Sequence, residues 1–318
     1  MAEVFHTDLL RRLVLSHFDL DPRDLTFERV TTGHFNTTYF VSGPEPPMVL
    51  RIAPPDDTGF VFYERRMMAQ EPGIHKLVRE RTSAPVANII AYDTSRKHVD
   101  RDYLLMERLP GIPLSDSHPT QAEFDRAMEQ TGRYLRQIHE ITTDRYGYLG
   151  EHNCMEPQAD WASAFHIMWN KLVDDVQGSG YYDHNEASFA RRLLDRNYRH
   201  FDRPVTSRLL HMDIWSQNIL VDGDSNVTGL VDFDRAAWGD KEIEFAILDF
   251  CGISVPAFWR GYGRERDVSE PARVRRLFYL AYEVQKYVPI YHYRNREPRA
   301  AERYKQDSLA ILRRIDAI

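Results

Sequence analysis

Apolar and polar residues alternate along the first third of the chain, and runs of turn-forming residues separate the alternating segments. An alternation with a period of two is typical of strands that bury one face. Near residue 62 the spacing becomes helical. The helix is interrupted or restarted near Pro72 and Gly73 and ends near residue 82. The pattern predicts an N-terminal amphipathic helix, this second helix, and strands at 25–30, 38–41, 48–53, 86–92 and 103–106.

After residue 113 the apolar positions take a helical spacing, as Phe124, Met128, Leu135 and Ile138 illustrate. This spacing predicts helices at 121–140, 162–176, 187–198, 273–288 and 302–318. A length of 318 residues, with 42% hydrophobic and 28% charged, supports two lobes and argues against disorder. We expect a bilobal α+β fold: a small antiparallel β lobe at 1–106, a larger, mainly helical lobe at 107–318, a linker at about 106–111, and a ligand cleft between the lobes.

One segment between the predicted helices carries residues suited to phosphoryl transfer. His211, Asp213 and Asn218 form the pattern H-x-D-x-x-x-x-N, and Asp232 follows at the end of an apolar run. The polar turn at 222–226 predicts a hairpin that brings Asp232 beside this loop. Phosphate transfer from a magnesium-bound nucleotide needs a carboxylate near the acceptor hydroxyl and hard oxygen ligands for the metal. Asp213 could supply the first and Asn218 with Asp232 the second; a chance match and a strand-end turn are the weaker alternatives.

The order of these motifs resembles the aminoglycoside phosphotransferase and choline kinase branch of the protein-kinase-like fold. Members of that branch carry an H-x-D-x-x-x-x-N loop, an I-D-[FW]-[DE] strand and a G-D motif that opens a helix. Residues 211–218, 231–234 and 239–240 match these motifs, and residues 104–111 are similar to the linker of the branch. The resemblance covers residues 25–250. It implies a kinase that uses ATP or GTP with Mg²⁺ and phosphorylates a hydroxyl group of a small molecule.

The resemblance also implies a role for each motif residue. Asp213 would orient the acceptor hydroxyl or accept its proton, and Asn218 and Asp232 would bind the metal ions. The adenine would lie against the backbone of the linker, at Met106, Glu107 and Leu109. His211 would hold the loop by a hydrogen bond, with a chemical role as the less favoured alternative. Asp234 would support the site from behind or be a plain turn residue. Asp240 would cap the following helix or tie the loop down.

The third strand departs from the kinase pattern. Kinases place a lysine there to hold the nucleotide phosphates, paired with a glutamate on a helix, but this chain has Arg51. A guanidinium is permanently charged and grips phosphate through two parallel hydrogen bonds, so the role is open to arginine. An exposed strand arginine is the alternative. As the partner of Arg51 we favour Glu71 over Glu64, because the resemblance places the glutamate at that distance before the segment 82–86.

The turn at 33–38 would cover the phosphates. It has one glycine and is a poor match to a glycine-rich loop. Asn36 and Thr37 could still donate hydrogen bonds to phosphate oxygens. A plain hairpin turn explains the segment equally well.

Composition excludes several classes of protein. The net charge of −7 argues against a general nucleic-acid binder, and no apolar run is long enough to span a membrane. The start of the chain lacks the apolar core of a signal peptide, and Cys154 and Cys251 are the two cysteines, which fits a cytoplasmic protein. Residues 251–318 carry a net charge of +6, which favours a solvated helical surface over a site for an anionic partner. No obligatory protein partner is evident.

The identity of the acceptor stays open at this stage. In the branch it can be an aminoglycoside, a macrolide, a sugar, an amino alcohol or a protein-bound sugar amine. One alternative to a small-molecule kinase is a catalytically inactive nucleotide- or ligand-binding protein. A protein kinase is less favoured, because the A-P-E motif and the glycine of D-F-G are missing. A polycationic acceptor would favour carboxylates such as Asp160, Asp174, Asp175 and Glu283. Aromatic residues that could stack on a sugar or enclose a quaternary amine are Trp259, Tyr262, Tyr279, Tyr282 and Tyr287, with core packing favoured for Tyr279 and Tyr282.

Overall fold

The N-terminal part of the chain forms a five-stranded antiparallel sheet in the order β1-β2-β3-β5-β4. The computed structural model describes residues 3–33, 35–43, 45–55 and 59–318. Helix α1 packs on one face of the sheet, where its residues Leu10, Leu13 and Val14 join Val41 and Leu50 in one buried cluster. The elements are α1 Thr7–Leu15, β1 Thr26–Val30, β2 Thr37–Ser42, β3 Met48–Ile52, α2 Glu71–Arg81, β4 Ile89–Asp93 and β5 Tyr103–Glu107.

Helix α2 is shorter than the sequence pattern predicts. Residues 62–66 form turns, with Arg66 in the left-handed region at φ 58°, and Met67–Gln70 form a 3₁₀ turn. The α-helix begins at Glu71 because Pro72, in its first turn, lacks an N–H and cannot continue a helix from upstream. The prediction of a helix from residue 62 is therefore wrong. The helix starts near Pro72, which agrees with the alternative of a restart there, and this start fixes the position of Glu71.

Strand β4 also begins later than predicted. The carbonyl of Val86 accepts a hydrogen bond from Nη1 of Arg79 at 2.7 Å, and that of Ala87 accepts one from Nδ1 of His75 at 2.9 Å. Both donors lie on α2. Because these carbonyls are satisfied by helix side chains, Val86 and Ala87 lie outside the strand, which is Ile89–Asp93.

The rest of the chain is mainly helical, with short strands between the helices. Two helix starts carry capping boxes, at Thr120 with Glu123 and at Asp183 with Glu186. The predicted hairpin is confirmed, since β9 and β10 pair antiparallel. The elements are β6 Ile112–Pro113, α3 Gln121–Ile138, β7 Thr142–Thr143, α4 Trp161–Gly178, α5 His184–Asn197, β8 Ser207–Leu210, β9 Ile219–Val221, β10 Val227–Leu230, β11 Ala237–Gly239, α6 Glu242–Phe250 and α7 Pro256–Tyr262.

The predicted tail helices differ from the observed ones near residue 289. The first is divided, because Pro289 has no N–H to donate to the preceding turn. A π-helical turn follows, and Arg296, in the left-handed region at φ 56°, ends it. Pro298 then opens the last helix four residues before the predicted start. The elements are α8 Glu270–Gln285, α9 Tyr287–Pro289, a π-turn Ile290–Asn295 and α10 Pro298–Asp316.

The architecture as a whole is α+β and bilobal, in agreement with the sequence prediction. The predicted linker at 106–111 overlaps the end of β5 and the turn before β6. In the described ranges, no helix combines the length and apolar character that a membrane crossing requires.

Candidate active site

A cleft of about 890 Å³ separates the sheet from the helical part. Its lining combines Arg51 and Met106 from the sheet with residues of the loops around the β9–β10 hairpin, namely Asp213, Asn218 and Asp232. The sheet residues and the loop residues, which lie far apart in the sequence, therefore face the same cleft.

Arg51 lies at the centre of three carboxylates. Its Nη1 lies 2.5 Å from Oε2 of Glu71, and its Nη2 lies 2.7 Å from Oδ1 of Asp232 and 3.2 Å from Oδ2 of Asp234. The Arg51 and Glu71 side chains are 10% and 0% exposed, so water screens their attraction little. The pairing agrees with the choice of Glu71 as partner and excludes an exposed strand arginine.

Three carboxylates of this cluster face the single guanidinium of Arg51. Burial raises the pKa of Asp234 well above its ordinary value, and the neighbouring charge of Asp232 raises it further. The side chain of Asp232 is 38% exposed and that of Asp234 is 6% exposed, so both line the cleft and Asp232 is the more accessible of the two. A divalent cation at Asp232 would favour the ionised form of the neighbouring carboxylates.

Asp213 and Asn218 contact each other directly. Nδ2 of Asn218 donates to Oδ2 and to the backbone carbonyl of Asp213, at 2.9 Å in each case. Because the amide nitrogen faces Asp213, Oδ1 of Asn218 would be available to a metal ion, alongside the carboxylate of Asp232. Magnesium typically takes one or two such protein oxygens and completes its shell with phosphates and water. In the described part of the chain no three His, Cys, Asp or Glu side chains form a metal site by themselves.

The loop that carries Asp213 is held from behind by Glu244, a fully buried residue. Its Oε2 accepts from the backbone N–H of His211 at 3.0 Å, and its Oε1 from that of Met212 at 2.7 Å. Oε2 also lies 2.8 Å from Nε2 of His139. Nε2 of His211 lies 3.0 Å from the carbonyl of Val231, which connects the loop to the strand before Asp232. Burial lowers the pKa of His211, and its contacts agree with a structural role.

Replacement of Glu244 should destabilise the protein because it leaves buried donors without a charged acceptor. We expect Glu244→Gln to lower the free energy of unfolding by about 3 kcal/mol. Glu140→Gln is the control, since Glu140 is 56% exposed and pairs only with Arg136; it should cost less than about 0.5 kcal/mol. Chemical denaturation of the three proteins measures the difference. Equal stability of both variants would contradict the role assigned to Glu244.

The end of the cleft beside the predicted linker is mostly apolar. The backbone N–H groups of Glu107 and Arg108 are bonded to the carbonyls of Asn88 and Pro47, at 2.9 Å each. An apolar slot bordered by backbone polar groups suits a flat heterocycle. The slot is lined by the linker residues Met106, Glu107 and Leu109 and by Val49, Ala87, Leu220 and Val231.

Of the two residues predicted in the turn before β2, Asn36 contacts one of the carboxylates around Arg51. Nδ2 of Asn36 lies 3.4 Å from Oδ2 of Asp234, and its buried Oδ1 has no hydrogen-bond partner. Thr37 pairs with Ile52 in the sheet, and its neighbour Thr38 lines the cleft in its place. His34 of the same turn lies outside the described residues.

Most residues considered for the acceptor serve the fold. Asp160 caps α4. Asp240, which is not one of the acceptor candidates, accepts from the N–H of Glu242 at 3.1 Å at the start of α6, in agreement with its predicted role as a cap. Tyr262, Tyr279 and Tyr282 are at most 2% exposed and belong to the core, as favoured for the last two. Tyr287 lines the cleft. The carboxylates Asp160, Asp174, Asp175 and Glu283 are not among its lining residues.

A chain of buried charges beside Asp213 is missed by the sequence motifs. Nζ of Lys286 lies 3.8 Å from Oδ1 of Asp213 and 2.6 Å from Oε1 of Glu283. Oε2 of Glu283 lies 2.8 Å from Nη1 of Arg235, which also donates to the carbonyl of Met212 at 2.8 Å. The available signals are weak: Arg235 directly follows the D-F-D motif, and Glu283 and Lys286 are three positions apart on a helix. Their proximity to Asp213 requires the tertiary fold.

Comparison with known proteins agrees with this arrangement. The model of the phosphotransferase enzyme family (APH) matches residues 26–277. A probable ketoamine kinase of Vibrio cholerae is 29% identical over 192 residues, which cover 59% of this chain and 62% of that relative. The match thus spans less than two thirds of the relative's length.

Solved structures show the same fold. A thermostable mutant of aminoglycoside phosphotransferase APH(4)-Ia, in a ternary complex with AMP-PNP and hygromycin B, is similar with a TM-score of 0.67 at 16% identity, covering 96% of this chain and 98% of that one. A putative fructosamine-3-kinase from Haemophilus somnus gives a TM-score of 0.60 at 17% identity, covering 94% and 96%. With the family match extending over most of its length, the chain belongs to the phosphotransferase enzyme family.

Proposed function

We propose that this protein is a kinase that moves the terminal phosphate of a magnesium-bound nucleoside triphosphate, ATP or GTP, to a hydroxyl group of a small molecule. The observation that carries the proposal is the meeting of two groups in one cleft. Asp213 with Asn218 forms one group, and Asp232 with Arg51 and Glu71 forms the other. The first suits an acceptor hydroxyl and the second suits metal-bound phosphates.

The acceptor hydroxyl would lie beside Asp213. Its carboxylate is partly exposed, at 30%, and is oriented through the amide of Asn218. A carboxylate held in this way can orient the hydroxyl and accept its proton as the new bond to phosphorus forms. The buried Lys286 and the Glu244 contacts keep the loop and its charge in place.

The nucleotide would occupy the other end of the cleft. The heterocycle fits the slot at Met106, Glu107 and Leu109, and Asn36 could donate to a phosphate oxygen. The metal, held by Asp232 and Asn218, would neutralise charge on the phosphates. Since Oδ1 of Asp232 lies 2.7 Å from Nη2 of Arg51, turning Asp232 towards a metal would free that nitrogen for phosphate.

The relatives favour a sugar-derived acceptor. The curated relative is named a probable ketoamine kinase, and the similar structures include a putative fructosamine-3-kinase and an enzyme bound to hygromycin B. The molecules in these names are polyhydroxylated and carry an amino substituent. We therefore place sugars and sugar amines ahead of macrolides and simple amino alcohols.

The test is magnesium-dependent release of ADP or GDP with a panel of sugars, sugar amines, amino alcohols, aminoglycosides and macrolides. We expect release with at least one acceptor and none without magnesium. Nucleotide binding is measured separately by calorimetry. Binding without release for every acceptor would favour the alternative, an inactive nucleotide- or ligand-binding protein. Failure to bind either nucleotide would contradict the roles of Arg51 and Asp232.

Removal of the charge at Asp232 should weaken the metal site. We expect Asp232→Asn to raise the Kd for magnesium–ATP about tenfold or more, because one charged ligand is lost. The magnesium concentration that gives half-maximal rate should rise in parallel. Asp224→Asn, in the exposed turn of the hairpin, is the matched control and should change neither value. An unchanged magnesium dependence in Asp232→Asn would argue against its role as a ligand.

A further inference from the structure

Four aromatic rings form a continuous row along one wall of the cleft. Phe250 stacks on Tyr287 with ring centroids 5.6 Å apart, Tyr287 on Tyr304 at 4.9 Å, and Tyr304 on Tyr291 at 5.1 Å. All four residues line the cleft. We call Phe250, Tyr287, Tyr291 and Tyr304 the aromatic row.

The aromatic row begins next to the proposed acceptor position. Nζ of Lys286 lies 4.8 Å from the ring centroid of Tyr287 and 3.8 Å from Oδ1 of Asp213. The row is therefore within reach of a molecule whose hydroxyl meets Asp213. Its three tyrosines lie after residue 277, where the match to the family model ends. This part of the wall is therefore outside the matched region.

The charged groups near the row are already paired with one another. Glu283 contacts both Lys286 and Arg235, and Glu64 pairs with Arg294. Asp213 itself has Lys286 beside it. A bound polycation would need carboxylates that are not balanced by internal cations, and these carboxylates are balanced.

The ring faces are also largely occupied. The rings stack on one another, Lys286 lies over the face of Tyr287, and the guanidinium of Arg303 lies 5.2 Å from the ring centroid of Tyr304. At Tyr287 and Tyr304 a cation of the chain thus already occupies the position that an ammonium group of a ligand would take. Ring edges, which carry partial positive charge, and tyrosine hydroxyls remain for contact with oxygen atoms.

We propose that the acceptor is an oxygen-rich, sugar-sized molecule without net positive charge, and that the aromatic row with Lys286 selects it against polycations. This inference rests on the proposed kinase function and narrows its acceptor class. Neutral and anionic sugars and net-neutral sugar amines fit it. Polycationic antibiotics do not, although the fold is shared with enzymes that bind them.

The decisive experiment compares acceptors that differ mainly in charge. ADP release is measured with glucose, gluconate and glucosamine, with fructosyl-glycine as a net-neutral sugar amine, and with hygromycin B as a polycation. We expect turnover with at least one neutral or anionic member and a kcat/KM at least tenfold lower for glucosamine and hygromycin B. Preference for hygromycin B would overturn the proposal. Absence of turnover with every member, while ATP still binds, would overturn the acceptor class and leave the nucleotide site standing.

Two variants separate selection from folding. Tyr304→Ala should lower kcat/KM for the best acceptor about tenfold through KM, with the KM for ATP unchanged. Lys286→Gln should raise the ratio of kcat/KM for glucosamine over glucose about tenfold, because Glu283 loses a counter-charge. Tyr198→Ala is the control, since Tyr198 lies outside the cleft on an exposed helix end. If Lys286→Gln kept both its melting temperature and the wild-type ratio of kcat/KM for glucosamine over glucose, the proposed selection against cationic acceptors would be contradicted.

Discussion

Asp213→Asn should lower kcat about 100- to 10,000-fold, the range that a positioned acid–base group contributes. The change preserves the shape of the side chain, and its remaining oxygen can still accept from Nδ2 of Asn218, which donates at 2.9 Å. It removes the negative charge that orients the acceptor hydroxyl and can take its proton. The measurement is steady-state ADP release at saturating acceptor and magnesium–ATP.

The same variant should keep its affinity for nucleotide. Asp213 contacts Asn218 and Lys286 and not the Arg51 cluster, so we expect the Kd for magnesium–ATP to change less than about threefold. Asp224→Asn again serves as the control for turnover. A variant with the wild-type kcat would exclude Asp213 from the chemistry. A large loss of nucleotide affinity would place Asp213 in the metal site.

Much of the fold follows from short-range patterns. The alternation in the first third identifies all five strands, and the turn at 222–226 identifies the β9–β10 hairpin. Errors occur where tertiary contacts decide the local structure. Val86 and Ala87 look like part of a strand but give their carbonyls to α2. The seven-residue helix α7 has too few turns for a clear helical pattern.

The residues of the site likewise divide into those that the sequence identifies and those that only the tertiary fold brings together. Asp213, Asn218 and Asp232 are identifiable because their spacing along the chain reflects the loop and hairpin that bring them together. The pair of Arg51 with Glu71 follows from the family pattern. Glu283 is named from the sequence only as a carboxylate for a polycationic acceptor, and Lys286 is not named. The chain of charges that joins them to Asp213 is not identifiable, because both lie about 70 residues after Asp213 on a helix whose docking no local pattern encodes. The aromatic row is hidden for the same reason, and Tyr287 alone is named from the sequence.

Replacement of Arg51 should affect both nucleotide binding and folding. In Arg51→Met, Glu71 and Asp234 would stay buried without their guanidinium, which lies 2.5 and 3.2 Å from them. We expect a loss of about 3 kcal/mol in the free energy of unfolding. The Kd for magnesium–ATP should rise about 100-fold, because the charge-assisted contact of Nη2 with phosphate would be lost together with the positive charge.

Arg51→Lys distinguishes the charge from the shape of the guanidinium. Lysine keeps the positive charge but cannot place two parallel donors, one on Glu71 and one towards the cleft, so an intermediate loss of about tenfold in affinity is expected. Calorimetry with magnesium–ATP and thermal unfolding measure both effects, and Arg133→Met on the exposed face of α3 is the control, with its side chain 52% exposed. If Arg51→Met bound nucleotide as tightly as the wild type while losing stability, Arg51 would be a structural residue alone. Wild-type affinity in Arg51→Lys, with the large loss in Arg51→Met, would instead show that charge suffices and that arginine is not required at this strand position.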